Sequence, residues 1–245
     1  WDRPTGLTQT TPMVGPPNTL SDVIFSQRSD TEYILVKGLP SNAAHQHQRS
    51  ITHRCRCLFK CSLAATPVVL ATPSGLLPFS LTLVYPDLVL ATDPAVGLDL
   101  FTVRRTRPTG DLVTSVVTVP LAGQQATCWS VYSKPTGYVY VSDPNNGTIS
   151  EIDVTPARWD GQPTASIVAV SPIGNAAFDI VNTNQRFTPS ATAPFADLLF
   201  AVLLCVRSIG VLALGSGAPT LFDVLTLPSE SGFSIGSQGI AFMPA

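Results

Sequence analysis

Two aspartates at matching points of a repeated pattern are the first candidates for chemistry. Asp93 and Asp143 lie 50 residues apart, and each opens an Asp-Pro-x-x-Gly turn after a short β-rich run. Two carboxylates at one rim of a fold could bind a polar ligand or transfer a proton. Alternatively, each carboxylate accepts a hydrogen bond from the backbone N–H two residues later and so holds its own turn. We favour the structural role, because repeated positions usually serve the repeat.

A second group of candidates precedes the second repeat. Gln124 and Gln125 are neutral and could line a channel or cap a strand end. Cys128-Trp129-Ser130 lacks the Gly-x-Ser-x-Gly turn that exposes a catalytic serine, and Trp129 is expected to pack between repeats. No histidine lies in a regular repeat, so no nucleophile–histidine pair is predicted and the catalytic residues stay unassigned. The ligand-binding prediction covers Gln124, Gln125, Trp129, Asp93 and Asp143.

The segment at about 41–65 is basic and rich in cysteine and histidine, and it interrupts the repeated pattern. His53, Cys55, Cys57 and Cys61 are residue types that bind zinc. Their Cys-x-Cys-x-x-x-Cys spacing does not match paired Cys-x-x-Cys knuckles, so we interpret the segment as a basic loop. Neither a metal site nor a cofactor is predicted. An altered reading frame or a retained intron is a further explanation for this segment.

Composition narrows the class of protein. The 245 residues carry a formal charge of −2 and only 12% charged residues, which argues against nucleic-acid binding. The apolar stretch at 195–214 is broken by Asp197 and Arg207, so two buried strands are predicted rather than a membrane helix. The odd count of five cysteines gives no disulfide framework. Asn146-Gly147-Thr148 is a glycosylation acceptor pattern in a predicted turn, which is meaningful if the protein is secreted.

The elements that must position these residues are short strands. The 22 prolines and 17 glycines fit many turns, and the 50-residue repeat predicts propeller blades, each a small antiparallel sheet. The prediction is an all-β fold, a single β-propeller-like domain over residues 1–245 with about four blade-like units. Strands are predicted at 23–25, 33–36, 78–84, 88–92, 98–103, 112–119, 126–132, 138–142, 148–154, 166–170, 198–206, 209–214 and 221–227, with an isolated strand at 235–242.

Several strings in the expected order resemble one family. They are GLLPFSLT at 75–82, ATDP at 91–94, GQQATCWS at 123–130, and the segment from TTP at 10–12 to PPNT at 16–19 before VIFS at 23–26. Together they resemble fungal secreted β-propellers of the lactonase-like or 3-carboxymuconate-cyclase-like kind. The resemblance covers most of 8–40 and 66–155, and more weakly 165–227. Because members usually have seven blades and a preceding N-terminal portion, it implies a partial propeller or the later blades of a longer one.

The resemblance implies lactonase or cycloisomerase (isomerase) chemistry on a small carboxylate or lactone. Such chemistry needs oxyanion stabilisation and proton transfer, and a carboxylate substrate favours arginine partners. None of the candidate arginines lies in a pattern that forces it inward; they are Arg104, Arg105, Arg107, Arg158, Arg186 and Arg207.

Two alternatives to an enzyme stay open. One is a non-catalytic extracellular protein that binds a carbohydrate or a protein, and the other is a fragment that retains only scaffold strands. Neither a nucleic acid nor a membrane is expected as a partner. An unpaired blade edge would also allow oligomers.

Overall fold

The computed structural model describes residues 20–25, 32–36, 48–51, 53–54, 62–63, 68–70, 78–105, 112–156, 162–174, 177–185, 196–215, 217–231, 240–241 and 243. These residues form β-strands, turns and two short 3₁₀ helices, without an α-helix among them. None of the helical segments in this part of the protein has the length and hydrophobicity of a membrane span. The strands form four antiparallel sheets of four strands each, plus one two-stranded sheet. The protein divides into two compact units.

The first unit contains residues 1–120 together with 156–164. Its sheet 1 has the order β1-β2-β3-β6, formed by β1 (Leu20–Phe25), β2 (Glu32–Val36), β3 (Gln48–Ile51) and β6 (Val68–Leu70). The small sheet pairs β4 (His53–Arg54) with β5 (Ser62–Leu63). Sheet 2 has the order β10-β9-β8-β7, formed by β7 (Leu81–Tyr85), β8 (Leu88–Asp93), β9 (Gly97–Arg105) and β10 (Leu112–Pro120).

Alternating apolar residues build the core of the first unit, because side chains on a strand point to opposite faces in turn. Leu35 of β2 packs with Val89, Ala91 and Phe101 of sheet 2, all of which are buried. Asp22 links the two sheets, because its carboxylate accepts a hydrogen bond from the backbone N of Leu81 at 2.6 Å.

The second unit contains residues 121–155 and 165–245. Sheet 3 has the order β11-β12-β13-β14, formed by β11 (Ser130–Tyr132), β12 (Val139–Asp143), β13 (Thr148–Thr155) and β14 (Thr164–Pro172). Sheet 4 has the order β15-β16-β17-β18, formed by β15 (Ala177–Asn182), β16 (Asp197–Leu203), β17 (Ser208–Gly215) and β18 (Gly217–Thr226). Their shared core contains Tyr140, Ile149, Ile180, Leu199, Leu203, Leu212 and Leu214.

The prediction of an all-β fold built from about four blade-like units is confirmed by these four sheets. The apolar stretch that includes 196–214 forms β16 and β17, joined by a 3₁₀ turn at Leu204–Val206 and by Arg207, whose φ is 48°. The predicted strand at 198–206 therefore ends at Leu203. The prediction of a single domain over residues 1–245 stays a prediction.

Three local predictions differ from the structure or fall outside it. The strand predicted at 126–132 is present only as β11, and a strand at Ala177–Asn182 was missed because Asp179 and Asn182 interrupt its apolar pattern. Part of the anomalous 41–65 segment pairs in the sheets as β3, β4 and β5. Most of the strand predicted at 235–242 lies outside the described residues, although the backbone N of Ile240 donates to Asp179 at 2.9 Å.

Candidate functional site

Asp143, the last residue of β12, organises a hydrogen-bond cluster that we call the rim cluster. It joins the loop at 121–129 to the turn at 143–147. Asp143 is buried, with 5% of the residue exposed. Its Oδ2 accepts from the backbone N of Gln125 at 2.7 Å, and its Oδ1 accepts from the backbone N of Ala126 at 3.0 Å. One buried carboxylate therefore fixes the loop that precedes β11.

Asn146 completes the rim cluster from the other side of the turn. Its backbone N donates to Asp143 Oδ1 at 3.2 Å, and its amide Nδ2 donates to Asp143 Oδ2 at 3.0 Å. The same Nδ2 donates to the carbonyl oxygen of Gly123 at 2.7 Å. Gly147 follows with a φ of 61°, a left-handed conformation that glycine adopts without strain. Asn146, the predicted glycosylation site, is exposed in this turn.

The two glutamines of the rim loop have different surroundings. Gln124 is half-buried, and its Oε1 accepts a hydrogen bond from the hydroxyl of Thr127. Gln125 is exposed, and its side chain makes no hydrogen bond with the described residues. Among the predicted ligand-binding residues of this unit, Gln125 is therefore the one with a side chain available to a ligand.

Trp129 and Asp93 have structural contacts of their own. Trp129 is half-buried against the core of the second unit, and its backbone N donates to the hydroxyl of Ser142 at 3.2 Å. Asp93 is fully buried in the first unit, and its Oδ1 accepts from the backbone N of Ala95 at 2.9 Å, the turn-forming contact that the Asp-Pro pattern predicts. The ligand-binding role of both residues stays a prediction.

A buried ionisable pair, Tyr140 and Glu151, was missed by the sequence analysis. The two are directly opposed on β12 and β13, at 0% and 1% exposure. In sheet 2 the corresponding opposed pair is Leu90 and Leu100. A position-by-position comparison of the two repeats could have found Glu151, because at the 50-residue spacing it takes the place of the buried Phe101.

The environment of this pair shifts both of its pKa values upward. Burial raises the pKa of Glu151, while the hydrogen bond from Tyr140 partly opposes that rise. Burial also raises the pKa of Tyr140, and its hydroxyl lies 3.1 Å from Thr136 Oγ1. Glu151 Oε2 has no hydrogen-bond partner among the described residues. A carboxyl with a raised pKa has the chemistry of an acid–base group, but this one is sealed inside the unit in the observed conformation.

Asp197, the first residue of β16, joins sheets 3 and 4. It is fully buried. Its Oδ2 accepts from Ser133 Oγ at 2.8 Å and from Asn182 Nδ2 at 2.9 Å. Its Oδ1 accepts from the hydroxyl of Thr183 and from its neighbour's backbone N. The donors are all neutral and satisfy the carboxylate, so this cluster is structural.

Asp99 is a buried carboxyl in the first unit. It is 0% exposed, and its Oδ1 accepts from Thr118 Oγ1 at 2.6 Å, whereas Oδ2 has no hydrogen-bond partner among the described residues. Burial raises the pKa of Asp99 from 3.8 to about 6; the Thr118 hydrogen bond lowers it and the charge of Asp93 raises it further.

This raised pKa predicts a pH-dependent stability. The folded protein binds the Asp99 proton more tightly than the unfolded protein does. The contribution of Asp99 to the free energy of unfolding therefore falls as the pH rises from about 4 to about 6. Asp99→Asn keeps an acceptor for Thr118 and removes the charge. We expect it to raise the free energy of unfolding at pH 7.5 by about 1 to 2 kcal/mol, with little change at pH 4. Urea unfolding at both pH values measures this; an equal effect at both would contradict it.

The remaining candidates lie mostly outside the described residues. Among the candidate arginines, Arg207 is exposed at its turn, and the side chains of the other five are outside the described part of the protein. The same holds for the side chains of His53, Cys55, Cys57 and Cys61. No group of three or more metal-binding side chains occurs among the residues that the structure describes. Neither Cys128 nor Cys205 forms a disulfide with another described residue.

Comparison with known proteins gives a fold but no family. No family model matches the sequence, and no curated protein matches it significantly. A solved protein of Bacteroides uniformis, provisionally named a 6-phosphogluconolactonase, matches 93% of this protein and 61% of its own length, with a TM-score of 0.55 and 14% identity. The described sheets of this protein therefore share their fold with part of that solved structure.

Two further solved structures agree with this fold. A protein of Bacteroides fragilis with the same provisional name matches 87% of this protein and 58% of its own length, with a TM-score of 0.54 and 12% identity. A functionally unknown protein of Desulfotomaculum acetoxidans matches 85% of this protein and 56% of its own length, with a TM-score of 0.54 and 13% identity. The 245 residues thus span about three fifths of the length of the solved structures they match.

Proposed function

We propose that these residues belong to a lactonase-like propeller protein that binds a small lactone or carboxylate and hydrolyses the lactone to its acid. The observation that carries the proposal is the fold likeness over 93% of the sequence to a protein provisionally named a 6-phosphogluconolactonase. At this low identity the likeness supports a class of ligand rather than one substrate. A lactone bearing hydroxyl or phosphate groups is the first ligand to test.

The rim cluster suits the recognition of such a ligand. The loop at 121–129 is held rigidly by Asp143 and presents the exposed amide of Gln125, which can both donate and accept hydrogen bonds. A lactone carbonyl accepts hydrogen bonds and sugar hydroxyls do both. A rigid loop also loses little conformational entropy when a ligand binds.

Hydrolysis requires a water molecule to attack the lactone carbonyl and the ring C–O bond to break, with a base that accepts the water proton. The proposed test adds a six-membered sugar lactone to the purified protein and follows acid release at constant pH. Isothermal titration with the lactone and with its ring-opened acid runs in parallel. Turnover above the spontaneous rate supports the enzyme, and binding without turnover supports a binding protein. Absence of both contradicts the proposal.

Gln125→Ala tests the rim as the binding surface. If Gln125 contributes one or two hydrogen bonds to the ligand, we expect its Kd to rise about 5- to 20-fold, with thermal stability unchanged. Asn145→Ala is the matched control, since Asn145 is exposed in the adjacent turn. Equal affinities for the wild type and Gln125→Ala would place the ligand elsewhere.

A non-catalytic extracellular binding protein is the second candidate, and one observation favours it. The carboxylate of Asp143 accepts four hydrogen bonds from its own loop and turn, which leaves it poorly placed to act as a base. Glu151, whose pKa is raised, is buried. Screening on a glycan array separates this candidate from the lactonase.

The cyclisation of a carboxymuconate is the second reaction to test, since the strings at 75–82, 91–94 and 123–130 resemble that family. Secretion is also part of the proposal. It is supported by the low content of charged residues and by the exposed acceptor asparagine at 146. Peptide mass spectrometry of the natural protein would show a glycan on Asn146 if the protein passes through the secretory pathway.

A further inference from the structure

The Asn146–Gly147 dipeptide has a chemistry that the proposed function does not use. A glycine after asparagine has no Cβ, so its backbone nitrogen can approach the Cγ atom of the asparagine amide closely. Attack forms a new bond from this nitrogen to Cγ and closes a five-membered imide, while the bond from Cγ to Nδ2 breaks and ammonia leaves. Water then opens the imide to aspartate or isoaspartate. The sequence of steps requires no oxidant, metal or enzyme.

The rim cluster depends on the amide group that this reaction removes. Asn146 Nδ2 uses its two hydrogens to reach Gly123 O at 2.7 Å and Asp143 Oδ2 at 3.0 Å. It is therefore a direct link between the turn at 143–147 and the loop at 121–129. The residue is exposed, so water can reach the imide once it forms.

We propose that Asn146 is a self-modification site, at which spontaneous loss of the side-chain amide releases the rim loop. The product places a carboxylate oxygen where Nδ2 was. That oxygen faces the Gly123 carbonyl and the Asp143 carboxylate, so two donated hydrogen bonds become two repulsive contacts. The Asp143 side chain must then move away from the new carboxylate at position 146. This movement weakens the hydrogen bonds that Asp143 accepts from the backbone N of Gln125 and of Ala126.

The same contacts set the rate of the reaction. While Asp143 and Gly123 hold the amide, its Cγ atom cannot turn toward the Gly147 nitrogen. In the folded protein, Asn146 therefore loses its side-chain amide only when the turn opens. The reaction is slower than in the denatured protein. Removing Asp143 leaves the Gly123 carbonyl as the one remaining contact of the amide among those described, so the amide turns more often toward Gly147. We expect Asp143→Ala to convert at least about tenfold faster than the wild type, since losing one charge-assisted hydrogen bond typically changes an equilibrium by that factor.

The experiment uses the full 245-residue protein made in a host that attaches no glycans. Wild type, Asp143→Ala and denatured wild type are held at a mildly alkaline pH and a fixed temperature, and peptide mass spectrometry measures the conversion at Asn146. In parallel, Asn146→Asp mimics the product, and hydrogen exchange of the peptide covering 121–129 reports release of the loop. Asn145→Asp is the matched control, since it adds the same charge one residue earlier.

We expect conversion to be fastest in the denatured protein, slower in Asp143→Ala and slowest in the wild type. We also expect faster exchange of 121–129 in Asn146→Asp, but not in Asn145→Asp. If Asp143→Ala does not fold, the comparison of Asn146→Asp with Asn145→Asp still decides the question. Unchanged exchange in Asn146→Asp, or equal conversion in folded and denatured wild type, would overturn the proposal.

Discussion

Asp197→Ala is expected to lower the free energy of unfolding by roughly 3 kcal/mol or more, the largest single effect in this protein. The substitution deletes the acceptor of Ser133 Oγ, Asn182 Nδ2 and the Thr183 hydroxyl. Asp197 and Ser133 are fully buried and Asn182 is nearly so, which leaves water little room to replace the carboxylate. Each donor left without an acceptor carries a desolvation cost that the native cluster avoids.

Chemical denaturation followed by tryptophan fluorescence measures this effect. Asp153→Ala is the matched control, because Asp153 is an exposed aspartate on β13, and its loss should cost less than about 0.5 kcal/mol. Asp197→Asn should fall between the two, since it keeps one acceptor oxygen but points an NH₂ group at the donors. A loss below about 1 kcal/mol for Asp197→Ala would show that the cluster contributes little.

Asp143→Ala is the second large effect, and we expect it to lower the free energy of unfolding by about 2 to 3 kcal/mol. The change leaves the backbone amides of Gln125 and Ala126 without their carboxylate and removes both contacts to Asn146. The cost is smaller than at Asp197, because Asn146 and Gln125 are exposed and water can satisfy part of the loop.

A local readout separates the loss of the rim cluster from general destabilisation. Hydrogen exchange should increase in 121–129 and in the turn at 143–147, while β16 and β17 keep their protection under native conditions. Exchange that increases equally over the second unit would mean that Asp143 supports the fold as a whole. The Asp153→Ala control should leave both regions unchanged.

Asp93 and Asp143, the carboxylates that suggest chemistry in the sequence, make structural contacts in the protein, and so does the buried Asp197. Asp93 holds its turn, Asp143 holds a loop and Asp197 joins two sheets. The donors described for Asp143 and Asp197 are neutral and reach both oxygens of each carboxylate, so the buried oxygens are satisfied. This is why the proposed ligand contact falls on the exposed amide of Gln125 rather than on an acid.

Most strands and turns and the approximate number of sheets could be predicted from local sequence patterns, although β15 and the strands within 41–65 could not. Alternating apolar residues and Asp-Pro-x-x-Gly turns are local signals, so Leu88–Asp93 and Val139–Asp143 could be predicted as equivalent strands. The turn at Arg207 was predictable for the same reason, since a charge breaks an apolar run.

Which polar residues are buried, and what they contact, depends on how the sheets pack. Ser133 and Asp197 are 64 residues apart, and Glu151 is buried because the face of sheet 3 that carries it packs on sheet 4. Burial and pKa depend on the neighbouring sheet, and strand periodicity cannot identify that sheet. The structure likewise showed that Asn146 is hydrogen-bonded to Gly123, 23 residues earlier, since the partner of a turn residue is set by the packing of the polypeptide around it.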